Sequence, residues 1–105
     1  MQKRSTETLL ADLNWEPDEW ISAEEMARAC NLKTEWVVTR IQEEVLHGEH
    51  RNGQYFLSCA TVWRVQQIEQ IERQFDADPH LAGLVTDLMD EVRRLRTQLR
   101  LKRRD

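Results

Sequence analysis

The stretch Ser22-Ala23-Glu24-Glu25-Met26-Ala27-Arg28-Ala29-Cys30-Asn31-Leu32-Lys33-Thr34 decides the fold. Its first four residues form a capping box, in which the Ser22 hydroxyl accepts from the third helical amide and Glu25 reaches back to the cap. Met26, Ala27, Ala29 and Cys30 then share one helical face, and Asn31 is a natural left-handed stop. Thr34 stands ready to cap a second helix from Glu35 to about Glu44, with Val38, Ile41 and Val45 on its inward face and Val37 and Leu46 flanking it. Two helices joined by Asn31-Leu32-Lys33 give a helix-turn-helix outline.

Downstream, His47 to Leu57 carries Asn52-Gly53 between two short extended stretches, the strongest local signal for a hairpin. This predicts a small wing. Ser58 then caps a helix whose stripe runs through Val62, Trp63, Val65, Ile68, Ile71 and Phe75. Asp76-Ala77-Asp78-Pro79 closes it and opens another, with Asp78 as cap and Pro79 at the first helical position. In that last helix Leu81, Val85, Leu88, Val92, Leu95 and Leu99 alternate spacings of four and three, a heptad seam that calls for a partner helix within the chain or in a second copy.

Upstream, Leu9, Leu10 and Leu13 have helical spacing behind Thr6, and Asn14-Trp15-Glu16-Pro17-Asp18 breaks the pattern. The chain thus divides into an N-terminal extension with a short helix (1–19), a winged helix-turn-helix head (20–57) and a helical pair with a coiled-coil-like end (58–105). The expected class is all-α apart from the hairpin.

Composition narrows the function. With 105 residues the chain can bury one modest core, and an enzyme cleft with its own lid is hard to fit. The opening Met1 to Leu10 lacks a signal-peptide apolar region, and no run approaches the roughly 20 apolar residues of a membrane span, so a cytoplasmic protein is expected. Cys30 and Cys59 read as small core residues. Neither phosphate-cradling glycine loops nor paired cysteines occur, and His47 and His50 read as exposed loop histidines, so no catalytic, cofactor or metal site is expected.

Charge is uneven. Residues 1–90 balance to −9, whereas residues 91–105 balance to +5. Nucleic-acid affinity depends on Lys and Arg displacing counterions, so an acidic body suits a basic protein partner better. The second helix of the head argues likewise, because Lys33 to Glu44 holds two basic residues and three acidic ones. Candidate partner-binding acids are Glu24, Glu25, Glu43, Glu44, Asp87, Asp90 and Glu91, with Trp36, off the apolar stripe beside Glu35 and Arg40, as an aromatic anchor. Trp20 and Trp63 are expected in the core.

The order of parts resembles MerR-type regulators, but the positions of their second-helix arginines fall near Glu35 and Val38. A closer likeness is to the CbpM family of chaperone modulators. It is carried by Trp20-Ile21-Ser22 with Glu24-Glu25, Tyr55-Phe56, Val65-Gln66-Gln67-Ile68, Asp78-Pro79, and Leu88-Met89-Asp90-Glu91-Val92 leading into an Arg- and Leu-rich end. This resemblance implies a MerR-like fold and a non-enzymatic role: binding the J domain of a DnaJ- or CbpA-like co-chaperone and blocking its engagement with Hsp70. A homodimer paired through Leu81 to Leu99 is also expected. The alternative is a MerR-like transcription regulator that binds DNA.

Overall fold

A computed structural model describes residues 5–103; the Lys3-Arg4 pair and Arg104 of the basic end lie outside the described residues. The described chain is mostly helical, with one small antiparallel sheet. Its elements are α1 (Thr6–Leu13), β1 (Trp20–Ser22), α2 (Ala23–Ala29), α3 (Thr34–Gln42), β2 (Glu49–Arg51), β3 (Gln54–Ser58), α4 (Val62–Phe75) and α5 (Pro79–Arg103). A 3-10 turn, Cys59–Thr61, joins β3 to α4.

Local chemistry explains most of the boundaries. Ser5, one residue before the expected Thr6, caps α1 by accepting from the Thr8 amide at 3.2 Å. Ser22 caps α2 by accepting from the Glu25 amide at 3.1 Å. Asn31 turns the chain with φ 59°. α3 begins at Thr34 itself, with Lys33 at the cap position and no side-chain cap bond. Asn52 (φ 50°) and Gly53 (φ 80°) both take the left-handed conformation that a two-residue hairpin turn needs. Ser58 accepts from the Ala60 amide and so starts the 3-10 turn ahead of α4. Asp78 caps α5 by accepting from the Leu81 amide at 2.9 Å.

Beyond the expected hairpin, the sheet gains a third strand, in the order β1-β3-β2. Ile21 lies opposite Leu57 and Ser22 opposite Phe56. The fold stays mostly helical as expected, with one strand more than the hairpin, and the placing of Trp20 in the core is corrected. Successive strand residues point to opposite faces. Ile21 faces inward, so its neighbour Trp20 turns out and is 39% exposed, with the Arg51 guanidinium 5.9 Å from its ring.

A second correction concerns α3. Val37 is fully buried and Val38 only partly, the reverse of the expected order. The helix ends at Gln42, and Glu44 takes a left-handed conformation (φ 62°), so Val45 enters the core from a turn and not from a helical face. Extending the helical period to Val45 rotated the expected face by about one residue.

One core draws on all five helices and on β1 and β3. Leu9 and Leu10 from α1, Met26 and Ala27 from α2, Val37 and Ile41 from α3, Leu57 from β3 and Ala82 from α5 join Val62, Trp63, Val65, Ile68 and Ile71 of α4. Phe75, expected on the α4 stripe, is instead 72% exposed at the helix end. α5 meets α4 through Ala82, Gly83 and Thr86, all buried. A Cβ on Gly83 would come within 3.1 Å of Val45 Cγ1, so the glycine permits the close approach of α5 to the turn after α3. Thr86 returns its hydroxyl to the Ala82 carbonyl at 2.8 Å and needs no solvent.

These burials set the expected mutational response. Leu57→Ala removes a fully buried side chain and lowers stability by about 2–5 kcal/mol in urea unfolding, whereas Phe75→Ala changes it by less than about 0.5 kcal/mol. Equal losses would mean that the core is drawn wrongly.

Candidate protein-binding surface

The end of α3 and the first half of α5 meet beside Arg64. From α4 its Nε donates to the Val45 carbonyl at 3.0 Å, and its Nη1 donates to Asp87 Oδ1. His80 Nε2 stands 3.9 Å from Glu43 Oε2. These contacts bring Glu43 and Asp87 to one side of the molecule. Glu44 lines the adjoining groove with Val45, His47, Gly48 and Arg64, a space of about 570 Å³.

Along α5, His80, Leu84, Asp87 and Glu91 recur at intervals of four, three and four and therefore share a face. Leu81 and Leu88 border it, and all three leucines are exposed. The result is an acidic strip, Glu43, Glu44, Asp87 and Glu91, alongside a row of leucines. Arg94 donates to Glu91 and holds its carboxyl below the usual range, so this acid stays ionised.

The other candidates lie elsewhere. Glu25 takes part in the Ser22 capping box, and Glu24 pairs with Arg28 one helical turn along α2 at 3.0 Å. Asp90 is exposed on α5, one residue before Glu91 and so about 100° around the helix from it. Trp36 is half-buried, and the Arg40 guanidinium stacks 4.3 Å from its ring. The expected exposed anchor is thus a platform for Arg40. Of the seam, Leu81, Leu88, Val92, Leu95 and Leu99 are exposed, and Val85 is half-buried against the core. The intrachain contact of α5 therefore uses a different face from the heptads.

Arg40 settles the electrostatics of α3. It is the only basic residue of that helix. Its Nε donates to Glu72 Oε2 at 3.1 Å, and the pair is mostly shielded from solvent. The outer surface of α3 keeps Glu35 without a compensating cation on the same helix. In the hairpin, Arg51 pairs with its neighbour Glu49, and His50 stacks on Tyr55 with ring centroids 4.5 Å apart.

Sequence reasoning missed Arg64, Glu72 and Leu84. Arg64 sits inside the apolar Val62-Trp63-Val65 run, and a cation there signals a partner reaching over from another element. Glu72 carried no such signal, because its link to Arg40 spans 32 positions. A further groove of about 480 Å³ is lined by Trp63, Leu88, Met89, Val92, Arg93 and Arg96, with Arg93 stacked 4.5 Å over Trp63.

The thiols are poor nucleophiles at neutral pH. Burial pushes Cys30 up to about 11, against the opposing effect of a Gln66 hydrogen bond. Cys59 is raised by burial and by the nearby charges of Glu19 and Glu25. No group of three or more metal-ligating side chains occurs among the described residues, and no helix there is long and apolar enough to cross a membrane.

For an acid, a raised pKa delays the thiolate to higher pH. Iodoacetamide should therefore label Cys30 about 100-fold more slowly than a free thiol at pH 7.5, the rate climbing about tenfold per pH unit toward pH 11. Labelling at the free-thiol rate, followed by intact mass, would contradict the burial. Comparison of the chain with models of known families, with curated proteins and with solved structures finds no match to any of them.

Proposed function

We propose that this chain is a non-enzymatic cytoplasmic interaction module with a MerR-like winged helix-turn-helix head. In this reading it binds the J domain of a DnaJ- or CbpA-like co-chaperone and blocks access of Hsp70. The observation that carries the proposal is Arg40. A groove reader needs cations on its second helix, and here the one within α3 is turned inward onto Glu72 and Trp36, which leaves only Lys33 at the cap.

The acidic strip suits a cationic helix. Glu43 and Glu44, beside the Asp87 and Glu91 carboxylates already paired with Arg64 and Arg94, supply a field that speeds encounter and sets orientation, while Leu81, Leu84 and Leu88 supply apolar contact from which affinity grows. Glu44 is exposed and enters no ion pair among the described residues, so its charge is available to a partner. The choice of a J domain rests on the resemblance to the CbpM family.

A purified cognate J domain should bind with micromolar or better affinity, and raising salt from 50 to 500 mM should weaken binding by about tenfold or more. Glu43→Lys with Glu44→Lys should weaken it by a similar factor at constant melting temperature, since neither residue is in the core. Titration calorimetry gives both values. Failure to bind any J protein of the source cell would remove the proposal. Retention of duplex DNA at low salt with a steep negative salt slope would replace it with the regulator reading.

A further inference from the structure

α5 is longer than the helix it packs on, and its inward face changes character where that support ends. α4 has 14 residues and α5 has 25. Arg64 meets Asp87, and Trp63, one residue earlier in α4, meets Arg93 further along α5, so the two helices run antiparallel and α5 reaches the start of α4 at about Arg93. Up to that point the face of α5 turned to the body is small or apolar, with Ala82 and Thr86 buried and Val85 and Met89 half-buried. At 3.6 residues per turn the same face continues as Arg93 and Arg96.

Arg93 lays its guanidinium 4.5 Å over the Trp63 ring, beside the groove of about 480 Å³ that Trp63 shares with Leu88, Met89 and Val92. A volume of this size lies within the range of roughly 300–1,000 Å³ found for small-molecule sites. Arg93 and Arg96 also line a second groove of about 520 Å³, together with Thr97, Leu99 and Arg100. An apolar trough therefore opens into a cationic one, with two guanidinium groups at the junction.

Those two groups have no carboxylate of their own. Arg28, Arg40, Arg51, Arg64, Arg73 and Arg94 each pair with an Asp or Glu, whereas Arg93 and Arg96 enter no ion pair among the described residues. A guanidinium only donates hydrogen bonds, and the rest of the trough is apolar except for the Ser5 hydroxyl. The site thus asks for an anionic head that only accepts, joined to an apolar body. We propose that it binds a single-chain amphipathic carboxylate, a medium-chain fatty acid, with the alkyl chain along Trp63, Met89 and Val92 and the carboxylate on Arg93 and Arg96. An extended peptide would leave backbone N–H groups unpaired in this trough, and an inorganic anion would use only its cationic half. Glu91 of the acidic strip lies about 160° around α5 from Arg93, so the site and the J-domain reading stand or fall separately.

The test is titration of the full chain with octanoate, decanoate and dodecanoate at pH 7.5, below their micellar concentrations, read by calorimetry and by the Trp63 Nε1–H resonance. One molecule should bind per chain, with affinity rising about two- to fourfold per added methylene. Decanol, which has the chain without the charge, should bind about tenfold more weakly or worse, and inorganic phosphate should leave the Trp63 resonance in place. Arg93→Gln with Arg96→Gln should weaken decanoate binding by about tenfold while circular dichroism shows a folded chain. Val92→Glu, at an exposed position, should weaken it by a similar factor by setting a like charge in the trough. Decanol binding as tightly as decanoate, or decanoate binding unchanged in the double variant, would overturn the proposal. So would a Trp63 resonance that decanoate leaves unmoved, the result expected if a second copy, an acidic peptide or an anionic vesicle is the true occupant.

Discussion

Burial of α4 from several directions is the constraint on which the other elements depend. Its Val62, Val65 and Ile68 are closed from solvent, and this 14-residue helix reaches α1, the 3-10 turn, α3 and α5 together. Its polar residues do complementary work. Arg64 ties the turn after α3 to Asp87 of α5, and Glu72 draws Arg40 of α3 inward. A chain this short has room for one such hub, and the rest of the sequence is arranged to cover it.

Much of the fold is legible locally. The capping box at Ser22, the Asn31 stop, the Asn52-Gly53 turn and the Asp78-Pro79 restart are chemical choices whose effects stay within four residues, and each appears in the expected place. Nonlocal features were not legible. β1 has three residues, too few for an alternating pattern to declare itself, and it exists because β3 offers an unpaired edge. The inward turn of Arg40 was not legible either, because nothing near it in sequence announces Glu72. Trp36 looked like a free anchor because its cover is the same arginine.

The acidic surface shows the same division. Counting charges along the chain locates acid in the body and base at the end, but only the packing of α5 on α4 decides which acids are neighbours. Glu43 and Asp87 are 44 positions apart, and His80 of α5 and Arg64 of α4 bring them to the same side of the molecule. Glu24 and Glu91 each pair with an arginine on their own helix, Asp87 pairs with Arg64 of α4, and Glu25 joins the Ser22 cap. α5 itself carries two apolar faces of different texture. Small residues serve the intrachain contact, where helices approach closely, and long leucines line the exposed face.

Glu44 joins two demands that oppose each other. It closes α3 with a positive φ, a conformation that costs a residue with a Cβ about 1 kcal/mol and that Gly or Asn adopts more readily. Replacing it would relax the corner and remove an exposed negative charge beside His47 and Arg64. Drift toward a sturdier scaffold would therefore erode the surface field at this position.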